Sequence, residues 1–189
     1  MTRNDIRQPH GHLTRSYFHS CHTRCAGSTE SVKAGLYRRK IQRTPRQGTS
    51  NRRFFLHGLT IELLYISDAE EAAHGTGKNL GILARTLDNT ASPFGIVVRV
   101  SSEDASPAFP NWQYRPDYFD GKMSFFVGNN SSLVQEPLCI CMPPALSKGS
   151  SIAVAPENRH WEFNGLKITV PVEAPSDVSR SINHPLIQA

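Results

Sequence analysis

The stretch LTIELLYI, residues 59–66, is apolar or β-branched at every position except Glu62. An unpaired ionised carboxylate in an apolar interior costs several kcal/mol, so Glu62 must find a partner or a proton. Strand alternation puts it on one face with Thr60, Leu64 and Ile66, and puts Leu59, Ile61, Leu63 and Tyr65 on the other. Two kinds of chemistry fit. Glu62 is a structural charge neutralised by Arg99, which stands alone among apolar strand residues, or it is a metal ligand or general base lining a pocket.

Other spacings carry weaker chemistry. HSCHTRC offers His19, Cys21, His22 and Cys25, soft ligands of the kind that hold zinc. Four ligands packed so closely wrap one tetrahedral ion poorly. GTGKN, residues 75–79, has the flavour of a phosphate loop without its full spacing. Cys139 and Cys141, two apart on an expected strand, pack as small apolar residues more readily than they act as nucleophiles with His160. Trp112, Tyr114 and Tyr118 can stack on a ligand at a cleft mouth or pack against a sheet.

The elements that must position these residues begin after a change of texture. Residues 1–47 carry ten Lys/Arg against two acids, a net +8, whereas the remaining 142 residues carry 11 against 14, a net −3. The first segment is poor in large apolar residues, so a basic, disordered arm over 1–47 and a domain over 48–189 are expected. Such an arm can hold phosphate backbones weakly, but no nucleic-acid motif accompanies it, and nucleic acid is not the expected partner. No run approaches the roughly twenty apolar residues of a membrane helix. The cysteines read as free thiols of a reducing, cytoplasmic compartment.

RRFFL and LTIELLYI around His57-Gly58 predict a β-hairpin. Ser67 or Asp68 can cap a short helix over Ala69–Ala73, and Leu80–Leu87 can form a second. SPFGIVVRVSS predicts a strand with Ile96, Val98 and Val100 on one face and Val97 and Arg99 on the other. SPAFPNWQYRPDYFDG reads as a rigid loop lying across the sheet. KMSFFVG and EPLCICMP are two further strands, HWEF and LKITVPV make a hairpin around Asn164-Gly165, and Ser176 opens a terminal helix. Strands, short helices, strands and a final helix argue an α+β fold with a largely antiparallel sheet.

QGTSNRRFFLHGLTIELLYISDAEEA, SPFGIVVRV, PAFPNWQYRPDYFDGKMSFFV and EPLCICMP, in that order, resemble the glyoxalase-like branch of the vicinal oxygen chelate (VOC) superfamily over about residues 47–143. The resemblance implies βαβββ modules whose curled sheet encloses a cleft. It further implies a divalent metal (Mn, Fe, Ni or Zn) that chelates a small oxygen-rich substrate in a lyase, isomerase or dioxygenase reaction. Glu62 matches the carboxylate ligand on the last strand of the first module, and Arg99, Trp112 and Tyr114 are the expected substrate contacts.

The chain also departs from that pattern. Residues 1–47 lack the family's Asp-His-hydrophobic first strand. LKITVPV and SDVSRSI read as the opening of a second module whose other strands are missing. The expected module is therefore incomplete, and its metal site needs ligands beyond Glu62, since such sites take about three. A homodimer could complete the cleft. The alternative is a non-catalytic small-molecule binding module or a truncated, inactive relative.

Overall fold

The computed structural model describes residues 15–21, 40–56, 59–100, 106–143, 168 and 172–182, with Arg15–Cys21 and Leu59 described by backbone alone. Eight strands are formed: β1 (Arg15–Cys21), β2 (Gln42–Thr44), β3 (Thr49–Leu56), β4 (Leu59–Ile66), β5 (Phe94–Arg99), β6 (Asn111–Tyr114), β7 (Phe125–Gly128) and β8 (Leu138–Met142). Helices α1 (Ala69–His74) and α2 (Ile82–Leu87) lie between β4 and β5, and α3 (Asp177–Ile182) follows β8. The fold is α+β. No described helix is long and apolar enough to cross a membrane.

The strand order β2-β3-β4-β1-β5-β8-β7-β6 joins a three-stranded part to a four-stranded part through β1. Each half has the same connectivity. β2, β3 and β4 run antiparallel in sequence order, and β1 returns beside β4 in parallel. Likewise β6, β7 and β8 run antiparallel, with β5 parallel to β8. The halves meet where β1 pairs antiparallel with β5. The sheet is thus mostly antiparallel and open, with β2 and β6 at its edges.

The register explains which side chains share a face. Arg53 pairs with Glu62, Asn51 with Leu64 and Thr49 with Ile66, so these six lie on one face of the β3–β4 hairpin. Leu64 belongs to a core cluster with Val97, Tyr114, Phe125, Val127, Leu138 and Ile140 from the other half. That shared face runs the width of the sheet. Leu80 and Ile82, from the α1–α2 segment, and the half-buried Tyr118 and Phe119 cover it. Ile96, Val98, Cys139 and Cys141 turn to the opposite face, under Val178 and Ile182 of α3. The alternation expected for residues 94–100 is the one observed.

Local chemistry accounts for the helix ends. The Asp68 carboxylate, rather than the Ser67 hydroxyl, caps α1 by accepting from the Glu71 N–H at 2.9 Å. The Ser176 hydroxyl accepts from Ser179 N at the start of α3. Gly48 has φ +70°, and its carbonyl accepts from Ser67 N and Asp68 N. A Cβ there would sit 2.3 Å from Asp68 O and 2.4 Å from Ala72 N, so the β2–β3 turn docks on α1 only with glycine.

Three expectations are revised. Arg15–Cys21 and Gln42–Thr44, assigned to the basic arm, are strands of the sheet. Asn111–Tyr114, read as loop, is an edge strand, held to four residues by Pro110 before it and Pro116 soon after. A second set of strands with the connectivity of the first, β5–β8, precedes LKITVPV. The His57-Gly58 turn and the HWEF–LKITVPV hairpin lie outside the described residues, except Ile168, which is not in a strand.

Candidate functional site

Glu62 does pair with a base, but the base is Arg53. Its Oε2 accepts from Arg53 Nε at 2.9 Å, with the Glu62 side chain 21% exposed and that of Arg53 37%. Register is the reason: the two residues are direct cross-strand neighbours, equidistant from the hairpin turn. Arg99 was the expected partner because it is isolated on an apolar strand. It is not the residue opposite. Arg53 is fixed further by its Nη1 donating to Gln42 Oε1 at 3.1 Å.

Arg99 instead lies near Arg53, without a counter-ion among the described residues. Its Nε is buried and has no hydrogen-bond partner, and the side chain forms no ion pair among the described residues. Burial lowers its pKa, and the nearby positive charge of Arg53 lowers it further. Tyr118 completes the group. Burial pushes its hydroxyl pKa up, and the proximity of Tyr114 and then Glu62 adds to the rise against the opposing influence of Arg53. Arg53 therefore has a second guanidinium, one carboxylate and a neutral phenol around it.

Trp112 and Tyr114 sit on edge strand β6, their rings edge to face with centroids 6.0 Å apart. Trp112 Nε1 donates to Ser131 Oγ at 3.2 Å. The tryptophan lines two adjoining surface depressions of about 460 and 410 Å³, and Lys78 lines both as well. Tyr114 lines the smaller one, and neither depression is lined by Glu62 or Arg99. The expected substrate contacts are thus divided: Arg99 stands near Arg53, whereas Trp112 and Tyr114 face the segment Thr76–Leu80. Tyr118 links them, close enough to feel both Tyr114 and Glu62.

The described residues do not fit the metal that the family resemblance implies. Among them no group of three His, Cys, Asp or Glu side chains could hold an ion. Glu62 already spends one oxygen on Arg53, and the residue registered beside it on β1 is Phe18. In HSCHTRC, His19 and Cys21 belong to β1, whose side chains are not described, and His22 and Cys25 lie outside the described residues, as does His160. Cys139 and Cys141 are free, buried thiols, their pKa values pushed up by burial to about 12 and about 11. They are poor nucleophiles.

Two polar groups that the sequence left unremarked organise the segment between β7 and β8. The Arg85 guanidinium, 4% exposed, donates to the carbonyls of Val134, Glu136, Ser131 and Leu133. The Glu136 carboxylate, in a residue 2% exposed, accepts from Ser176 N, Ser179 Oγ and Asn130 Nδ2. Burial alone would raise its pKa, but these hydrogen bonds outweigh burial and hold it below the ordinary value. No family model matches the chain, and no curated protein matches it.

Proposed function

We propose that this chain is a glyoxalase-like protein of the VOC type that binds a small organic acid, with Arg99 receiving the acid's carboxylate. The repeated connectivity of β1–β4 and β5–β8 supports the fold assignment, since each half is a strand followed by three antiparallel strands with the first beside the last. Both halves lie in one chain, so this reading requires no second copy to complete the cleft.

One observation carries the ligand class: a buried, unpartnered Arg99 Nε beside an Arg53–Glu62 pair. A guanidinium N–H buried without a partner loses hydration and receives nothing in return. An incoming carboxylate supplies the missing acceptor, and its planar oxygens match the guanidinium fork. The surplus positive charge also disfavours cationic ligands there. The metal-dependent lyase, isomerase or dioxygenase reading requires Glu62 as a ligand, and the pairing with Arg53 argues for the metal-independent alternative.

The test is calorimetric titration with oxalate and with lactate, run beside metal analysis for Mn, Fe, Ni and Zn. Saturable binding is expected, weakened at least about tenfold in Arg99→Gln, the loss of one charge-assisted pair. Glu62→Gln should bind as tightly or more tightly, because it frees Arg53 from its own anion. Binding indifferent to Arg99→Gln defeats the proposal. Near-stoichiometric metal that disappears in Glu62→Gln returns the site to the metal-dependent reading.

A further inference from the structure

The groove beside β6 is built from a segment with no role in the Arg99 site. Thr76–Leu80 forms a 3₁₀ turn capped by Gly81 at φ +67°. This turn carries Lys78 along the line where the two depressions adjoin, with Trp112 lining both. His74 and Arg115 line the smaller depression with it, and no acidic residue lines either. Lys78 makes no ion pair among the described residues. His74 directs Nδ1 to the Glu70 carbonyl at 3.0 Å, and Arg115 donates to Gln113 Oε1 at 3.2 Å, so both are held at the rim without a neutralising charge.

A second, independent feature points to a ligand. Tyr114, only 4% exposed, lines the smaller depression, and its hydroxyl is buried without a partner. The Thr76 hydroxyl, from the opposite wall, is likewise buried and unpartnered. Burial raises the Tyr114 pKa, the facing Thr76 hydroxyl tempers that rise as a hydrogen-bond partner does, and the Asp117 carboxylate adds to it, so the two hydroxyls answer each other loosely and neither has a further partner. A buried hydroxyl with hydrogen-bonding capacity to spare is stabilised by a donor or acceptor brought to it, by water or by a ligand.

We propose that this groove binds a planar aromatic ring carrying an oxyanion, the ring against Trp112 and the anion among Lys78, His74 and Arg115. The indole supplies a stacking surface. Lys78 and Arg115 supply positive charge at the rim, and His74 a ring N–H or acceptor. Aromatic acids and mononucleotides share this chemistry.

The full chain is titrated with 1-naphthoate and with AMP, beside 1-naphthylmethanol, which lacks the charge, and cyclohexanecarboxylate, which lacks the aromatic ring. Saturable binding of either aromatic anion is expected, and the tighter of the two names the source of the chemistry. Both controls should bind at least about fivefold more weakly, and added salt should weaken the anion. Lys78→Glu, at an exposed position where folding is checked by circular dichroism, should weaken the aromatic anion at least about fivefold. Arg99→Gln should leave it within about twofold, which separates this groove from the organic-acid site. The proposal is overturned if neither aromatic anion binds saturably, if the controls bind equally well, if Lys78→Glu changes nothing, or if Arg99→Gln abolishes binding.

Discussion

The two halves of the sheet share a connectivity and differ in what they place on their common face. In the first half, the third and fourth strands oppose Arg53 and Glu62; in the second, they oppose Val127 and Ile140. Asn51, Leu64, Phe55 and Thr60 flank the charged pair in the register, whereas Leu138, Phe125 and Val97 join the apolar one in the core. One backbone arrangement thus carries an apolar core in one half and a partly exposed ion pair beside buried polar side chains in the other. Strand order fixes where side chains can meet, and side-chain chemistry decides whether the meeting stabilises or recognises.

The most direct way to sharpen this contrast is to truncate equivalent environments. Leu138 is fully buried in the second half, and Leu138→Ala should cost about 3 kcal/mol through lost burial and a residual cavity. In a chain of this size that lowers Tm by roughly 6–12 °C. Thr60→Ala on the first half's polar face should cost no more than about 1 kcal/mol. Thermal unfolding of both variants checks the pair. Equal losses would mean that the two halves contribute alike to the core.

The carboxylates of the two halves differ in the same way. Glu62 is half-buried and answered by one guanidinium, whereas Glu136 is buried and answered by hydroxyl, amide and backbone donors that tie α3 to the sheet. Glu136→Gln turns one acceptor oxygen into a donor facing those donors and should cost about 2 kcal/mol. Because the folded pKa of Glu136 lies below its ordinary value, its contribution is present above the unfolded carboxylate range. It declines as pH falls through the folded value. Denaturant unfolding between pH 7 and 3 should show a shallower acid loss in Glu136→Gln than in the parent chain.

What could be read from the sequence was local. The alternation in LTIELLYI and GIVVR, the Asp68 cap and the Ser176 cap each depend on residues a few positions apart, and each is found where expected. β1 escaped because RSYFHSC lies in a basic, aperiodic segment, and its place is set by β4 and β5, which pair along both of its edges. β6 escaped because its flanking prolines mimic a loop. The partner of Glu62 was legible by counting back across the His57-Gly58 hairpin to Arg53, but the isolation of Arg99 drew attention away. The neighbourhood of Arg53 and Arg99 could not be counted, since it depends on how two halves of a sheet bring long side chains together. The same holds for Lys78 and Trp112, which are far apart in sequence and share a groove only through tertiary packing.

The smallest expected change in stability is also the one most able to break the comparison. Arg53→Val with Glu62→Ile would give the first half a pair like Val127 and Ile140 at its third and fourth strands. An ion pair with both side chains partly exposed is worth under about 1 kcal/mol, and apolar contact between the two replacements offsets its loss. The double variant should therefore unfold within about 1 kcal/mol of the parent, whereas Arg53→Val alone should cost roughly 1–3 kcal/mol by leaving Glu62 half-buried without its base. A double variant much less stable than either single one would make the charged pair an architectural requirement of the first half. Stability near that of the parent, with organic-acid binding altered, would place the pair's purpose in recognition: the first half keeps charge where the second keeps methyl groups because Arg99 needs a polar, positively biased neighbourhood.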